Sequence, residues 1–307
     1  MSISKKEGHE NKDEGQTVKN KLVLHRGFYL ISGIHSPEEV DSIQDLEIRD
    51  SDVFVITYPK SGTIWMQQIL SLIEGRGDVT VTMHKEASQR IPWLEDAGGK
   101  NRFAGDPSPR LRVSHLDYKF MPRALKQKRG KVIYLARNPK DILVSYFHFH
   151  YYAAVFETPE NFSDFFEKFL EGRVFCGRWF DHIKTWYSHK DEMNFLYLTY
   201  EEMIQDLRAA VERISMFMGK ELINAELDSV AEHSTFDEMS KNPYANYRNV
   251  SDELLHQNKG AFMRKGTIGD WKNHFTREQN ERFDHVFREE MKDFPLKFVW
   301  DINDIKV

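Results

Sequence analysis

The chain has one cysteine, Cys176, in 307 residues. An intramolecular disulfide is therefore excluded and a Cys-based metal site is not expected. No apolar run approaches the ~18 residues that span a bilayer, and the polar start lacks the apolar centre of a signal peptide. The expectation is a reducing, cytoplasmic location with no membrane partner. Excess positive charge is also missing: 43 Lys and Arg against 48 Asp and Glu leave a net charge of −5. That argues against a general grip on nucleic acid, so any anion site must be a local gathering of cations. A Walker loop is absent too. The Gly-Lys pairs beginning at Gly99, Gly130 and Gly219 have no glycine five residues ahead and no Ser or Thr behind them. Proline and glycine are scattered, with no internal repeat and no linker in the middle.

What is present is 40% apolar and 13% aromatic content, ample for one sizeable core. Residues 1–20 are almost wholly polar and are expected to be a disordered tail ahead of a single domain over 21–307. The stretch Val53-Phe-Val-Ile-Thr-Tyr-Pro-Lys-Ser-Gly-Thr-Ile-Trp65 organises the rest. Val53–Tyr58 reads as a strand buried on both faces of a parallel sheet, and Pro59 stops it. Trp65, Ile69, Leu72 and Ile73 then share one helical face, so a helix is expected from near Thr63 to the Gly75/Gly77 stop. Between them, Lys60, Ser61, Gly62 and Thr63 combine a full charge, a close-approaching backbone and open helix N–H groups, which suits a phosphate or sulfate. The plain alternative is a Ser/Gly turn joining strand to helix.

Thr57-Tyr-Pro-Lys-Ser-Gly-Thr-Ile-Trp65 resembles the 5′-phosphosulfate loop of the cytosolic sulfotransferases. Four further stretches follow in matching order: Ser114-His115, Arg137-Asn-Pro-Lys-Asp-Ile-Leu-Val-Ser145, Tyr200-Glu-Glu, and Phe262-Met-Arg-Lys-Gly-Thr-Ile-Gly-Asp-Trp-Lys272. The resemblance spans about residues 21 to 303. Ile48-Arg-Asp, Ile64-Trp-Met-Gln-Gln and the ending Met291-Lys-Asp-Phe-Pro-Leu-Lys-Phe-Val-Trp300 look most like its amine sulfotransferase branch. It implies an α/β single domain, with a central parallel sheet flanked by helices and a P-loop-like phosphosulfate loop. It also implies an enzyme that takes a sulfuryl group from 3′-phosphoadenosine 5′-phosphosulfate (PAPS), releases PAP and needs no metal.

Carried over residue by residue, the resemblance implies that Lys60, Ser61, Gly62, Thr63, Ile64 and Trp65 hold the 5′ end of PAPS, with Lys60 at the leaving phosphate. Arg137, Ser145, Arg264, Lys265 and Gly266 would hold the 3′-phosphate. Tyr200, Ser234 and Phe236 would hold the adenine, and His115 would be the general base. The residues themselves agree in type. Pro109–Leu116 reads as a strand ending in His115, and parallel sheets collect ligands at such ends. Lys131–Arg137 ends in a cation where a Walker-type nucleotidase often has a magnesium-binding Asp; the alternative for Arg137 is a structural ion pair. For the small-molecule acceptor, Phe149 in the aromatic run Tyr146–Tyr152, Trp93 in an irregular, lid-like segment 79–106, and Tyr247 in the long loop 242–263 are the candidates. Asp117, two residues past His115, is the candidate to orient an amine. Val113 stands where many relatives have a lysine that contacts the sulfuryl oxygens. Lys272–Glu281 resembles a short homodimer motif, but Arg277 replaces its apolar centre, which puts dimerisation in doubt. The rival classes are a non-catalytic binder of PAPS or of a hydrophobic small molecule, and a P-loop nucleotide kinase.

Overall fold

A computed structural model describes residues 22–305; the polar tail expected over 1–20 lies outside the described residues. Six strands are present among them. β1 (Leu22–His25) and β2 (Phe28–Ile31) make an antiparallel hairpin. β3 (Val53–Thr57), β4 (Leu111–Ser114), β5 (Lys131–Ala136) and β6 (Phe195–Thr199) form a wholly parallel sheet in the order β4-β3-β5-β6. The lead-in expected over Leu22–Ile34 is thus a hairpin whose β2 side joins the core.

The sheet is parallel because its strands carry apolar residues on both faces, and strand alternation sends them to two separate cores. Val53 and Val55 of β3 face the same way as Ile133 and Leu135 of β5, against Met66, Ile69, Leu70 and Ile73 of the helix Thr63–Glu74. Phe54 and Ile56 face the other way with Val132 and Tyr134, into an aromatic core fed by the helices Pro139–Tyr152, Phe162–Glu171, Trp179–Ser188 and Arg277–Met291. The helix expected from Asn138-Pro139 is capped by the Asn138 side chain, which accepts the Asp141 N–H at 2.9 Å.

Register, more than strand order, decides which side chains meet at the sheet edge. Ile56 pairs with Ser114, Thr57 with Leu135, and Ala136 with Thr199. The four strands therefore stop almost level, and the next residues, the Tyr58 turn, His115, Arg137 and Tyr200, emerge side by side at the carboxyl edge. The segment 79–106 is less irregular than its sequence suggests, with short helices Ala87–Arg90 and Gly99–Gly105. The loop 242–263 has only a 3₁₀ turn at Gln257–Lys259 as regular structure. Within Lys272–Glu281, Lys272 pairs with Asp301, and the exposed Arg277 pairs with Glu281 at 2.8 Å.

The approach to β3 is fixed by a buried ion pair. Arg110 Nε and NH2 reach the two Asp52 oxygens at 2.9 and 2.5 Å, and Asp52 also accepts the Arg49 N–H at 2.7 Å. Both side chains are almost fully shielded from water, at 2% and 0% exposure. Removing one partner leaves the other charge buried without compensation. Asp52→Ala is therefore expected to lower unfolding stability by about 3–5 kcal/mol in a denaturant titration; a loss under about 1 kcal/mol would contradict this account.

Candidate active site

The loop after β3 is wound tightly around an open space. Gly62 sits at φ +110° as the N-cap of the helix Thr63–Glu74, and no side chain caps that end. Its first-turn N–H groups are thus left for a ligand. A Cβ on Gly62 would come within 3.1 Å of the Tyr200 ring and 3.2 Å of Leu135. Lys60 takes φ +72° without being glycine, a conformation held at a cost of about 1–2 kcal/mol and common at ligand sites. Its ammonium lies 3.7 Å from the Phe149 ring centre and 4.4 Å from that of Phe262. Burial, then the nearby Arg137 and Arg264, push the Lys60 pKa down to about 7.

Arg137 donates to the Lys60 carbonyl at 3.0 Å and the Thr267 carbonyl at 3.2 Å, and its guanidinium lies over the Tyr200 ring at 4.2 Å. Its Nε is buried with no partner, a donor still available to a bound group. Arg264 and Lys265 both pair with Asp270, Arg264 at 2.6 Å. Burial acts to raise the Asp270 carboxyl, yet Lys265, Asn273 and Arg264 together hold it well below the usual range. The loop carrying these cations is tied down by Asp141, which accepts the Gly269 N–H at 2.7 Å and the Trp271 N–H at 3.1 Å. Asp141 in turn receives the Asn138 amide at 2.8 Å, and that amide also reaches Glu201 at 3.1 Å. Gly266, at φ +63°, lies so close beneath Phe236 that a Cβ there would meet its ring at 2.1 Å.

His115 follows β4 directly. Its Nδ1 lies 2.7 Å from the Thr57 carbonyl and 3.1 Å from the Thr57 hydroxyl. A carbonyl can only accept, so Nδ1 carries the hydrogen and Nε2 keeps its lone pair. Burial is the main reason its pKa falls to about 3, with His182, His35 and Lys60 adding to the fall against the Thr57 bond. The imidazole is therefore neutral through the working range. The backbone N–H of His115 donates to Glu95 at 2.7 Å, and the Trp93 ring lies 4.5 Å away.

One cavity of about 360 Å³ gathers most of the residues singled out from sequence, a size ordinary for a small-molecule site. Lys60, Gly62, Thr63, Ile64, Trp65, Arg137, Ser145, Tyr200, Phe236, Arg264, Lys265 and Gly266 line it, together with His115, Trp93, Phe149 and Tyr247. Tyr247 stacks on Phe262 at 4.6 Å. Ser61 and Ser234 do not line it. Both are fully buried with unpartnered hydroxyls, and the Ser234 carbonyl accepts the Trp65 indole N–H at 2.6 Å.

Asp117 must be corrected as an acceptor contact. It accepts the Lys119 N–H at 3.0 Å as the cap of the turn Tyr118–Phe120, and it lines a separate depression with Cys176 and His182. The two-residue alternation that would aim it like His115 fails because β4 has ended at Ser114. Val113 is packed into the core with Ile91 and Leu227, with no access to the cavity. Sequence reasoning misses Glu95, Asp96, His35 and Phe175, which also line the cavity. A signal exists for the first two, adjacent acids just after Trp93 in a segment that reads as a cover.

No group of three or more His, Cys, Asp or Glu side chains suited to a metal occurs among the described residues, and no helix there is long and apolar enough to cross a membrane. Residues 50–295 match the family model described as a sulfotransferase domain. An amine sulfotransferase of the rabbit (Oryctolagus cuniculus) is 50% identical over 267 residues, 86% of this chain and 89% of that protein. A retinol dehydratase, solved with androsterone and the inactive cofactor PAP, superposes with a TM-score of 0.83 at 25% identity, covering 92% of each chain. A mouse sulfotransferase solved with PAP superposes with a TM-score of 0.73 at 33% identity, over 88% of this chain and 95% of that one. The chain belongs to the sulfotransferase family.

Proposed function

We propose that this sulfotransferase uses PAPS as its donor and transfers the sulfuryl group to the amine, phenol or alcohol of a small apolar acceptor, with His115 as general base. The observation that carries this reading is the His115 geometry: with Nδ1 committed to the Thr57 carbonyl at 2.7 Å, Nε2 is a free base in the same cavity as Lys60 and Arg137. The donor fits the residues present, because Arg137 Nε is an unpaired buried donor and no side chain caps the helix that Gly62 opens. Two solved relatives hold PAP, and one of them also holds androsterone, an apolar acceptor-sized molecule.

When bound, the donor supplies an activated sulfuryl group whose departure leaves negative charge on a phosphate oxygen. Lys60 and the N–H groups at the start of Thr63–Glu74 are the groups that would balance that charge, acting by position and electrostatics. Arg137, Ser145, Arg264, Lys265 and the Gly266 N–H would capture the 3′-phosphate, with Arg264 and Lys265 exchanging Asp270 for it. Ser61 would support the loop. Tyr200 and Phe236 would frame the adenine, with Ser234 buried behind them and held through its carbonyl to the Trp65 indole N–H. Trp93, Phe149 and Tyr247 would wall the acceptor, and the imidazole would take its proton as the new bond forms.

The direct test is labelled PAPS with a panel of phenols, alcohols and amines. Transfer to at least one acceptor is expected, and His115→Ala should lose more than about 100-fold in kcat while still binding PAP in calorimetry. A protein that binds PAP but transfers to nothing is instead a non-catalytic binder.

Lys60 gives a pH test. Its pKa near 7 in the ligand-free protein must rise when a polyanion binds, so binding takes up a proton. Affinity for PAP should fall as pH climbs above 7, by up to roughly tenfold per unit until the bound-state pKa is passed. Lys60→Met should bind more weakly and lose most of this dependence; an unchanged slope in the variant would count against the assignment.

At Gly266 an added methyl would strike the Phe236 ring in a backbone conformation that L residues rarely adopt. Gly266→Ala is expected to raise the Kd for PAP at least tenfold, about 1.4 kcal/mol, with the acceptor KM nearly unchanged.

A further inference from the structure

β4 ends at Ser114, so the His115 peptide has no strand partner left to bond. Side chains take up its polar groups instead, as a buried backbone requires. On the amino side, residues 92–94 run beside β4: the Val113 N–H donates to the Pro92 carbonyl at 3.1 Å and the Leu94 N–H to the Val113 carbonyl at 3.0 Å. Glu95 comes next, and its carboxylate accepts the His115 N–H from behind at 2.7 Å, with Ser114 beside it. On the carboxyl side, the His115 carbonyl receives His182 Nε2 at 3.1 Å and the Cys176 thiol at 3.5 Å. Leu116 is gripped as well. Its N–H donates to the Ser114 hydroxyl at 3.0 Å, and its carbonyl accepts the Trp186 indole N–H at 3.1 Å. The imidazole thus hangs from a peptide bonded at both ends.

His182 is a buried histidine that the proposed chemistry leaves unused. It belongs to the helix Trp179–Ser188, is 1% exposed and lines no part of the cavity. Because a carbonyl can only accept, its Nε2 carries the hydrogen and its Nδ1 keeps the lone pair. That lone pair accepts the Tyr134 hydroxyl at 2.9 Å. Burial holds the His182 pKa down to about 4, against the pull of Asp117 and the bonds to the His115 and Leu116 carbonyls. The ring is therefore neutral and locked in one tautomer, with its single N–H spent on the peptide of His115.

We propose that His182 is a positioning residue for sulfuryl transfer, aiming the His115 imidazole through the His115 carbonyl while Tyr134 fixes its tautomer. This rests on the reading of His115 as the general base and names what holds that base in place. The bond from His115 Nδ1 to the Thr57 carbonyl is 2.7 Å long and directional. Releasing the His115 carbonyl lets the peptide turn, and the ring turns with it. Nδ1 then loosens from Thr57, the hydrogen is free to move to Nε2, and the lone pair that would take the acceptor's proton is lost. Tyr134 sits on β5 and His182 on a helix packed in the aromatic core, so both ends of the chain of bonds are on rigid elements. Residues that orient a reacting group from behind commonly matter about 10-fold to 100-fold.

The test uses the full chain with saturating PAPS and the best acceptor from the panel above. His182→Leu removes the donor and should lower kcat about tenfold or more, with the Kd for PAP close to that of wild type. His182→Gln, whose amide donates from the same place as Nε2, should recover most of that loss. Tyr134→Phe should fall between the two. Proton–nitrogen NMR of the histidine rings should show His115 as the Nδ1–H tautomer in wild type and His182→Gln, and as a mixture of tautomers in His182→Leu. A kcat for His182→Leu near that of wild type overturns the proposal. So does an equal loss in the Leu and Gln variants, or a loss of PAP affinity in step with kcat, since either marks a packing role alone. Should His182→Leu fail to fold, Tyr134→Phe decides by the same readouts, and wild-type behaviour in it overturns the proposal. A wild-type protein that transfers to no acceptor removes the reading of His115 as base. The NMR comparison then still decides whether His182 fixes that ring, and an unchanged tautomer in the variants overturns it.

Discussion

Mutual repulsion among Lys60, Arg137 and Arg264 is the constraint on which this structure turns. Three positive groups converge on one cavity, and burial weakens the solvent screening that would separate them on a surface. The fold tolerates this with three kinds of stand-in. Aromatic faces take part of the charge, Phe149 and Phe262 beneath Lys60 and Tyr200 beneath Arg137. Backbone carbonyls at Lys60 and Thr267 take more. Asp270 supplies the one full negative charge among the described partners of Arg264 and Lys265.

The geometry that enforces this convergence is modest. Four strands end level, so a turn, an imidazole, a guanidinium and a phenol emerge together. What the sheet does not provide is the loop from Phe262 to Thr267, which arrives from far along the chain. Asp141 anchors it by accepting from Gly269 and Trp271, and Asn138 and Glu201 hold Asp141 in turn. A single carboxylate, one turn into the helix that carries Ser145, thus sets where the distant cations stand. Burial raises the Glu201 pKa to about 7, so this anchor is itself sensitive to its surroundings.

Much of this is legible in the residues alone, for physical reasons. Short apolar runs such as Val53–Thr57 and Lys131–Ala136 signal doubly buried strands, and Asn138-Pro139 signals a helix start, because local sterics and capping decide both. The turn at Lys60–Thr63 is readable because Pro59 stops the strand and Gly62 opens the helix that begins at Thr63. Asp117 misleads because strand periodicity does not persist past the end of β4. Glu95 and Asp96 escape notice because they lie where no period applies. Glu95 is held by the backbone N–H of His115, a partner that only tertiary structure reveals.

Asp270 has one more implication. Covalently tethered beside Arg264 and Lys265, it would compete with the proposed 3′-phosphate at an effective local concentration far above that of free anions. Inorganic phosphate or a simple nucleotide must displace it to gain those two side chains, and contacts made with them alone offer little surplus for doing so. A ligand that also engages the Lys60 loop recovers the difference elsewhere. On the proposed reading, Asp270 thereby sets a threshold that any anion must pass to gain those two side chains.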